Sequence, residues 1–150
     1  RFKLMRERIE AMKAIWTNSK PKYSGEFVKF DEMMQWPKPV QKPNPPIIVG
    51  GGFPHGARRA VAYGNGWMPI GGRGGDTLAM LPPFYEMLKA AGRKREEVPT
   101  TLFGAGMDGD ALKRARDAGI DRVVFGVPAE SRDKVLPILD KGIAAIRSMG

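Results

Sequence analysis

Gly50-Gly51-Gly52 is the stretch best suited to chemistry in this 150-residue chain. It follows Pro45-Pro46-Ile47-Ile48-Val49, where two prolines stop what precedes and three β-branched residues read as a short buried strand. Gly51 and Gly52 carry no Cβ, so the backbone can take φ > 0 and an anion can approach its N–H groups. A helix over 56–63 would aim its N-terminus at the same place, an arrangement that suits a phosphate. A tight turn that binds nothing is the competing reading.

A second glycine pair strengthens the first. Gly64-Asn65-Gly66 is a turn, and Trp67-Met68-Pro69-Ile70 reads as another strand that ends in Gly71-Gly72, with Arg73 beside it. Two successive strands ending in glycine at one edge of a parallel sheet is where such folds take ligands. Arg58 and Arg59, early in the intervening helix, oppose its dipole unless an anion is near. His55 could donate to that anion or act as a base, but a surface turn position explains it as well. Trp67 fits a ring pocket or, more simply, the core.

Other chemistries lack their residues. There is no cysteine and one histidine, so neither thiolate chemistry nor a metal site is expected. Net charge is +9, with 10 basic and 5 acidic residues in the first 46. The one basic run, Arg93-Lys94-Arg95, precedes Glu96-Glu97 and reads as solvated surface. A nucleic-acid domain is the weakest alternative, because aromatic–basic interleaving is missing. No signal-peptide pattern or membrane-length apolar run is seen, so a cytoplasmic protein is expected, with no membrane partner.

The elements that must position these residues follow from periodicity. Met5, Ile9, Met12 and Trp16 mark an amphipathic helix over 2–16. Residues 17–46 form an excursion, with a hairpin near 23–30 and five prolines after it; its Tyr23, Phe27, Phe30 and Trp36 suit a lid, a subunit contact or packing. From residue 47 the order is βαβαβαβα, with strands at 47–49, 67–70, 100–105 and 121–127. Asp76 caps a helix to about 91, disturbed early by Pro82 and Pro83. Val135, Leu139, Ile143 and Ile146 are expected to form the buried stripe of the last helix. Strict alternation predicts a parallel α/β sheet, and four βα units are half of an eight-unit barrel.

Together these pieces resemble the C-terminal half of the luciferase-like monooxygenases, in the branch that uses coenzyme F-420 or a flavin. The resemblance rests on Arg8-Ile9-Glu10 through Ile15-Trp16, Tyr23-Ser24-Gly25-Glu26-Phe27 and Pro37-Lys38-Pro39-Val40-Gln41. It continues through the proline–glycine stretch at 45–51, Arg59-Ala60, Gly64-Asn65-Gly66-Trp67-Met68-Pro69 and Ala118-Gly119-Ile120-Asp121-Arg122-Val123-Val124-Phe125. It implies half of a (β/α)8 TIM barrel spanning 1–150, and an oxidoreductase that moves hydride between F-420 or FMN and a small organic substrate. It implies that Gly50, Gly51 and Gly52 hold the cofactor's phosphate, with Gly71, Gly72 and Arg73 as further contacts. The family's catalytic residues lie mainly in the N-terminal half, so none is assigned here. The 150-residue chain alone is therefore expected to be inactive, with that missing half as its partner and a homo-oligomer as the assembly. The alternative is a non-catalytic half-barrel that binds a phosphate ligand and dimerises.

Overall fold

The computed structural model describes residues 1–70 and 76–149. It divides into two compact units, Arg1–Pro46 and Ile47–Gly150.

The first unit is a helix tied to a hairpin. Helix α1 spans Phe2–Thr17, and strands β1 (Tyr23–Ser24) and β2 (Lys29–Phe30) pair antiparallel. Ile9 and Ala11 are the buried positions of α1, while Met12 of the expected stripe is exposed. The tie is polar. The Glu7 carboxylate accepts the backbone N–H groups of Glu26, Phe27 and Val28 at 3.0, 2.7 and 3.0 Å. These N–H donors hold its pKa below the ordinary carboxylate value. Tyr23 donates to Glu10 at 2.8 Å, and the Tyr23 and Phe30 rings lie 6.3 Å apart. Phe27 and Trp36 remain exposed.

The second unit alternates strand and helix. Its strands are β3 (Ile48–Gly50), β4 (Gly66–Met68), β5 (Thr101–Phe103) and β6 (Arg122–Val124). Its α-helices are α2 (His55–Tyr63), α3 (Leu81–Ala90), α4 (Gly109–Ala118) and α5 (Arg132–Arg147). β3 pairs parallel with β4, and β5 parallel with β6. A parallel bridge, Trp67 with Thr100, joins β4 to β5, supported by the Trp67 N–H donating to Pro99 O at 3.0 Å. The expected parallel α/β order is thus present. The named strands are only three residues long, shorter than the apolar runs, and β3, β4 and β5 are each followed directly by a glycine or proline, Gly51, Pro69 and Gly104.

One face of this sheet packs on helices. Val49 and Trp67 join Ala57 and Ala60 of α2 and Phe84 and Leu88 of α3 in the main core. Leu102 and Val123 pack against Leu81, Ala115 and Ile120. Trp67 and Phe84 are fully buried, with ring centroids 4.5 Å apart. Alternation puts Ile48, Met68, Phe103 and Val124 on the opposite face.

Helix ends follow local chemistry. Asp108 caps α4 by accepting the Ala111 N–H at 2.7 Å, and Gly119 closes it at φ +106°. Asp76 accepts the Leu78 N–H at 2.9 Å and opens a 3-10 turn, Leu78–Met80, that leads into α3. Pro82 and Pro83 do not disturb α3. They sit in its first turn, where N–H groups have no partner within the helix itself and proline is tolerated.

Two further expectations fail. The stripe of α5 is not buried: Leu139, Ile143 and Ile146 are exposed, and its buried positions are Gly142 and Ala145. Periodicity marks the apolar face of a helix but not what covers it. The basic run is not simply solvated. Arg93 donates from Nη1 to the carbonyls of Ala60, Val61 and Gly64 at 3.2, 2.9 and 3.0 Å, satisfying the C-terminal end of α2. Arg95 lies over the Tyr85 ring at 4.6 Å and donates to Gly119 O at 2.9 Å.

Candidate functional site

The Gly50-Gly51-Gly52 turn stands where β3 ends and α2 is about to begin. Gly51 has φ +135°, a region that side-chain-bearing residues rarely enter. Two hydrogen bonds fix it. Its N–H donates to Met68 O at 3.2 Å, and its carbonyl accepts the Trp67 indole N–H at 3.0 Å. Helix α2 then rests on the turn, because a Cβ at Gly56 would run into the Gly51 carbonyl.

Around that fixed point the space is open. A Cβ built on Gly50 or on Gly52 meets nothing within 4 Å. A Cβ on Gly51 would lie 2.6 Å from Nη2 of Arg59, whose guanidinium also reaches Gly50 O at 3.4 Å. The turn therefore carries the Arg59 guanidinium beside an unfilled backbone surface, just ahead of α2. That is the chemistry an anion requires. These residues fit the phosphate end of a nucleotide-like cofactor.

The sequence-derived candidates divide as follows. Gly50, Gly51 and Gly52 come together in one turn, but the Gly51 N–H is spent on Met68. Gly71, Gly72 and Arg73 lie outside the described residues. His55 is exposed at the first turn of α2. Arg58 is exposed, while Arg59 turns back to the glycines, so the two arginines differ in role. Trp67 is core, and its indole N–H steadies the site from beneath. That contact had no signal in the sequence. Arg59 had a faint one: it stands four residues after His55, on the same side of α2. Among the described residues no group of three or more His, Cys, Asp or Glu is placed to hold a metal. No described helix is long and apolar enough to cross a membrane.

A parallel sheet with helices between its strands is an α/β architecture, and comparison with known proteins narrows it. The luciferase-like monooxygenase family model matches residues 1–135, and the chain belongs to that family. An uncharacterized protein of Mycobacterium tuberculosis is 32% identical over 139 residues, which cover 92% of this chain and 48% of that protein. The chain thus spans about half the length of such relatives. An F-420-dependent glucose-6-phosphate dehydrogenase of Kineococcus radiotolerans is 28% identical, over 68% of this chain and 30% of its own. An FMNH2-dependent dimethylsulfone monooxygenase of Pseudomonas putida is 39% identical over 51 residues, 34% of this chain and 14% of its own. Among solved structures, an F-420-dependent secondary alcohol dehydrogenase superimposes with a TM-score of 0.68 at 16% identity, over 94% of this chain and 60% of that one. This last likeness is one of fold.

Proposed function

We propose that the chain is the C-terminal half of a (β/α)8 barrel in an oxidoreductase that uses coenzyme F-420 or FMN, and that it holds the cofactor's phosphate. The observation that carries this reading is the open Gly50-Gly51-Gly52 turn with the Arg59 guanidinium against it. When bound, the cofactor would supply hydride transfer to or from a small organic substrate. The chain's own part is placement. Gly50 and Gly52 leave room for the phosphate, Arg59 balances its charge, and Trp67 and Met68 keep the turn rigid. Gly71, Gly72 and Arg73 are proposed as further contacts on sequence grounds alone.

The half-barrel reading is supported by what the second unit leaves exposed. A parallel sheet is ordinarily covered on both faces. Here Ile70 is 63% exposed, and the stripe of α5 is open. Four complementary βα units would cover these surfaces and supply the catalytic groups. A cytoplasmic homo-oligomer is the setting we propose, in keeping with a cysteine-free sequence.

The test is cofactor binding by the full-length protein. Gly52→Val is the sharper variant, since its side chain enters open space and does not disturb the core. FMN and F-420 affinity should fall about tenfold or more, the loss of one charge-assisted contact, while the melting temperature holds. Unchanged affinity for both cofactors would refute the phosphate site. Hydride transfer by the wild type but not by residues 1–150 alone would support the half-barrel, and turnover by the short chain would refute it.

A further inference from the structure

We propose that Phe103 forms an aromatic wall against which the planar ring of the bound cofactor lies. This deepens the reading above and rests on it. Phe103 is the last residue of β5, in the interior of the parallel order, yet it is 67% exposed. An apolar aromatic left open there needs a partner. Its neighbours in sequence pack differently. Leu102 points into the helix-covered core, so Phe103 points to the opposite face.

Its height on the sheet separates a pocket wall from ordinary filling. Gly50 is level with Met68, and the Trp67–Thr100 bridge puts Met68 level with Thr101. Phe103 stands two residues beyond that level, past the point where the glycine turn leaves β3. It therefore rises at the mouth rather than within the layers below. Strand spacing and rise put its Cα about 12 Å from that of Gly50. That span suits a ligand with a phosphate at one end, a short polyol chain, and a fused ring at the other. Space around Phe103 is kept clear by glycines. Gly104 follows at φ +73°, and a Cβ on it or on Gly126, beyond β6, would meet nothing within 4 Å.

Riboflavin, which has the ring but no phosphate, and inorganic phosphate, which has no ring, separate the two ends. In the full-length protein Phe103→Ala should weaken FMN and riboflavin binding about tenfold, the scale of a lost aromatic contact. Competition of inorganic phosphate with FMN should be unchanged. Phe103→Tyr should retain ring affinity and should add quenching of flavin fluorescence, because a phenol against the ring donates an electron to its excited state and a phenyl does not. Phe103→Leu, which keeps apolar volume, should retain the melting temperature and still lose riboflavin affinity. Wild-type riboflavin affinity in the Ala or the Leu variant, or unchanged fluorescence of the bound flavin in the Tyr variant, would overturn the wall and leave the phosphate site intact. A wild type that binds neither FMN nor F-420 would overturn the phosphate reading and this one with it.

Discussion

The two ends of the parallel sheet are built on opposite principles. At the end where strands begin, charged and aromatic side chains tie backbone groups far apart in the chain. Arg93 gathers three carbonyls at the close of α2. Arg95 and Tyr85 both donate to Gly119 O at 2.9 Å, and Asp121 accepts the Thr100 N–H at 2.7 Å. At the end where strands finish, Gly50, Gly52, Gly104 and Gly126 face open space. The first end closes a structure and the second leaves one available. In barrel enzymes the same asymmetry separates the face that confers stability from the face that binds and reacts. A charged residue therefore means different things at the two ends. Arg93 and Arg95 tie carbonyls at the closed end, while Arg59 reaches Gly50 O at the open turn.

Four experiments would break or sharpen this contrast. The largest effect is expected at Trp67, which serves both ends: it fills the core and its indole N–H steadies Gly51. Trp67→Ala should cost about 3–5 kcal/mol in denaturant unfolding of the full-length protein. Trp67→Phe should recover most of that stability without restoring cofactor affinity. Equal recovery of both would deny the indole its part in the turn.

Next comes the closed end. Arg93→Met keeps the apolar stem and removes three charge-assisted hydrogen bonds. A loss of about 2 kcal/mol is expected, with FMN and F-420 affinity unaltered. A fall in affinity without a fall in stability would mean that the two ends are not separable. Gly51→Val sits between the ends. Its positive φ and the adjacent Arg59 make both folding and binding suffer, by about 1–3 kcal/mol in stability. Gly52→Val should spare stability altogether.

The smallest effect is a pH dependence at the closed end. Glu97 accepts the Lys94 N–H and the Arg93 Nε, both at 3.3 Å. The Lys94 N–H first, then Arg93, hold its pKa below the ordinary carboxylate value. Its contribution is thus complete above the unfolded-state pKa. It declines as pH falls below that value and is gone once pH passes beneath the lowered native one. The group is exposed, so the change should be slight and screened by salt. Unfolding curves between pH 6 and about 3, the span over which a carboxylate titrates, should show it, and Glu97→Gln should flatten it. An unchanged slope in that variant would assign the acid sensitivity elsewhere.

Much of the scaffold was legible because local rules and the global fold agree. Apolar runs bounded by glycine and proline became parallel strands, and the 3.6-residue stripes became helices. The glycine turn was legible for the same reason, since a positive φ leaves few residue choices. The sequence also carried Gly92 and Gly119 as helix stops, at φ +66° and +106°.

What pairs with what across long separations was decided by tertiary structure. Arg93 and Gly64 lie 29 residues apart, and Gly119 lies 24 from Arg95. A run of three basic residues carries no mark of such distant carbonyls, because a guanidinium on a flexible stem pairs with whatever packing brings near. The same holds for the indole of Trp67 on Gly51 and for Arg59 rather than Arg58 at the turn. The exposure of Phe103 and of the α5 stripe was likewise invisible, since hydropathy states a preference for cover and only the packed chain decides whether cover is present. By itself, then, the sequence determined the alternation of elements and the position of the turn, both set by backbone sterics and side-chain periodicity. The fold alone decided which donors were consumed at one end of the sheet and which surfaces were left open at the other, because those depend on distances between residues far apart in the chain.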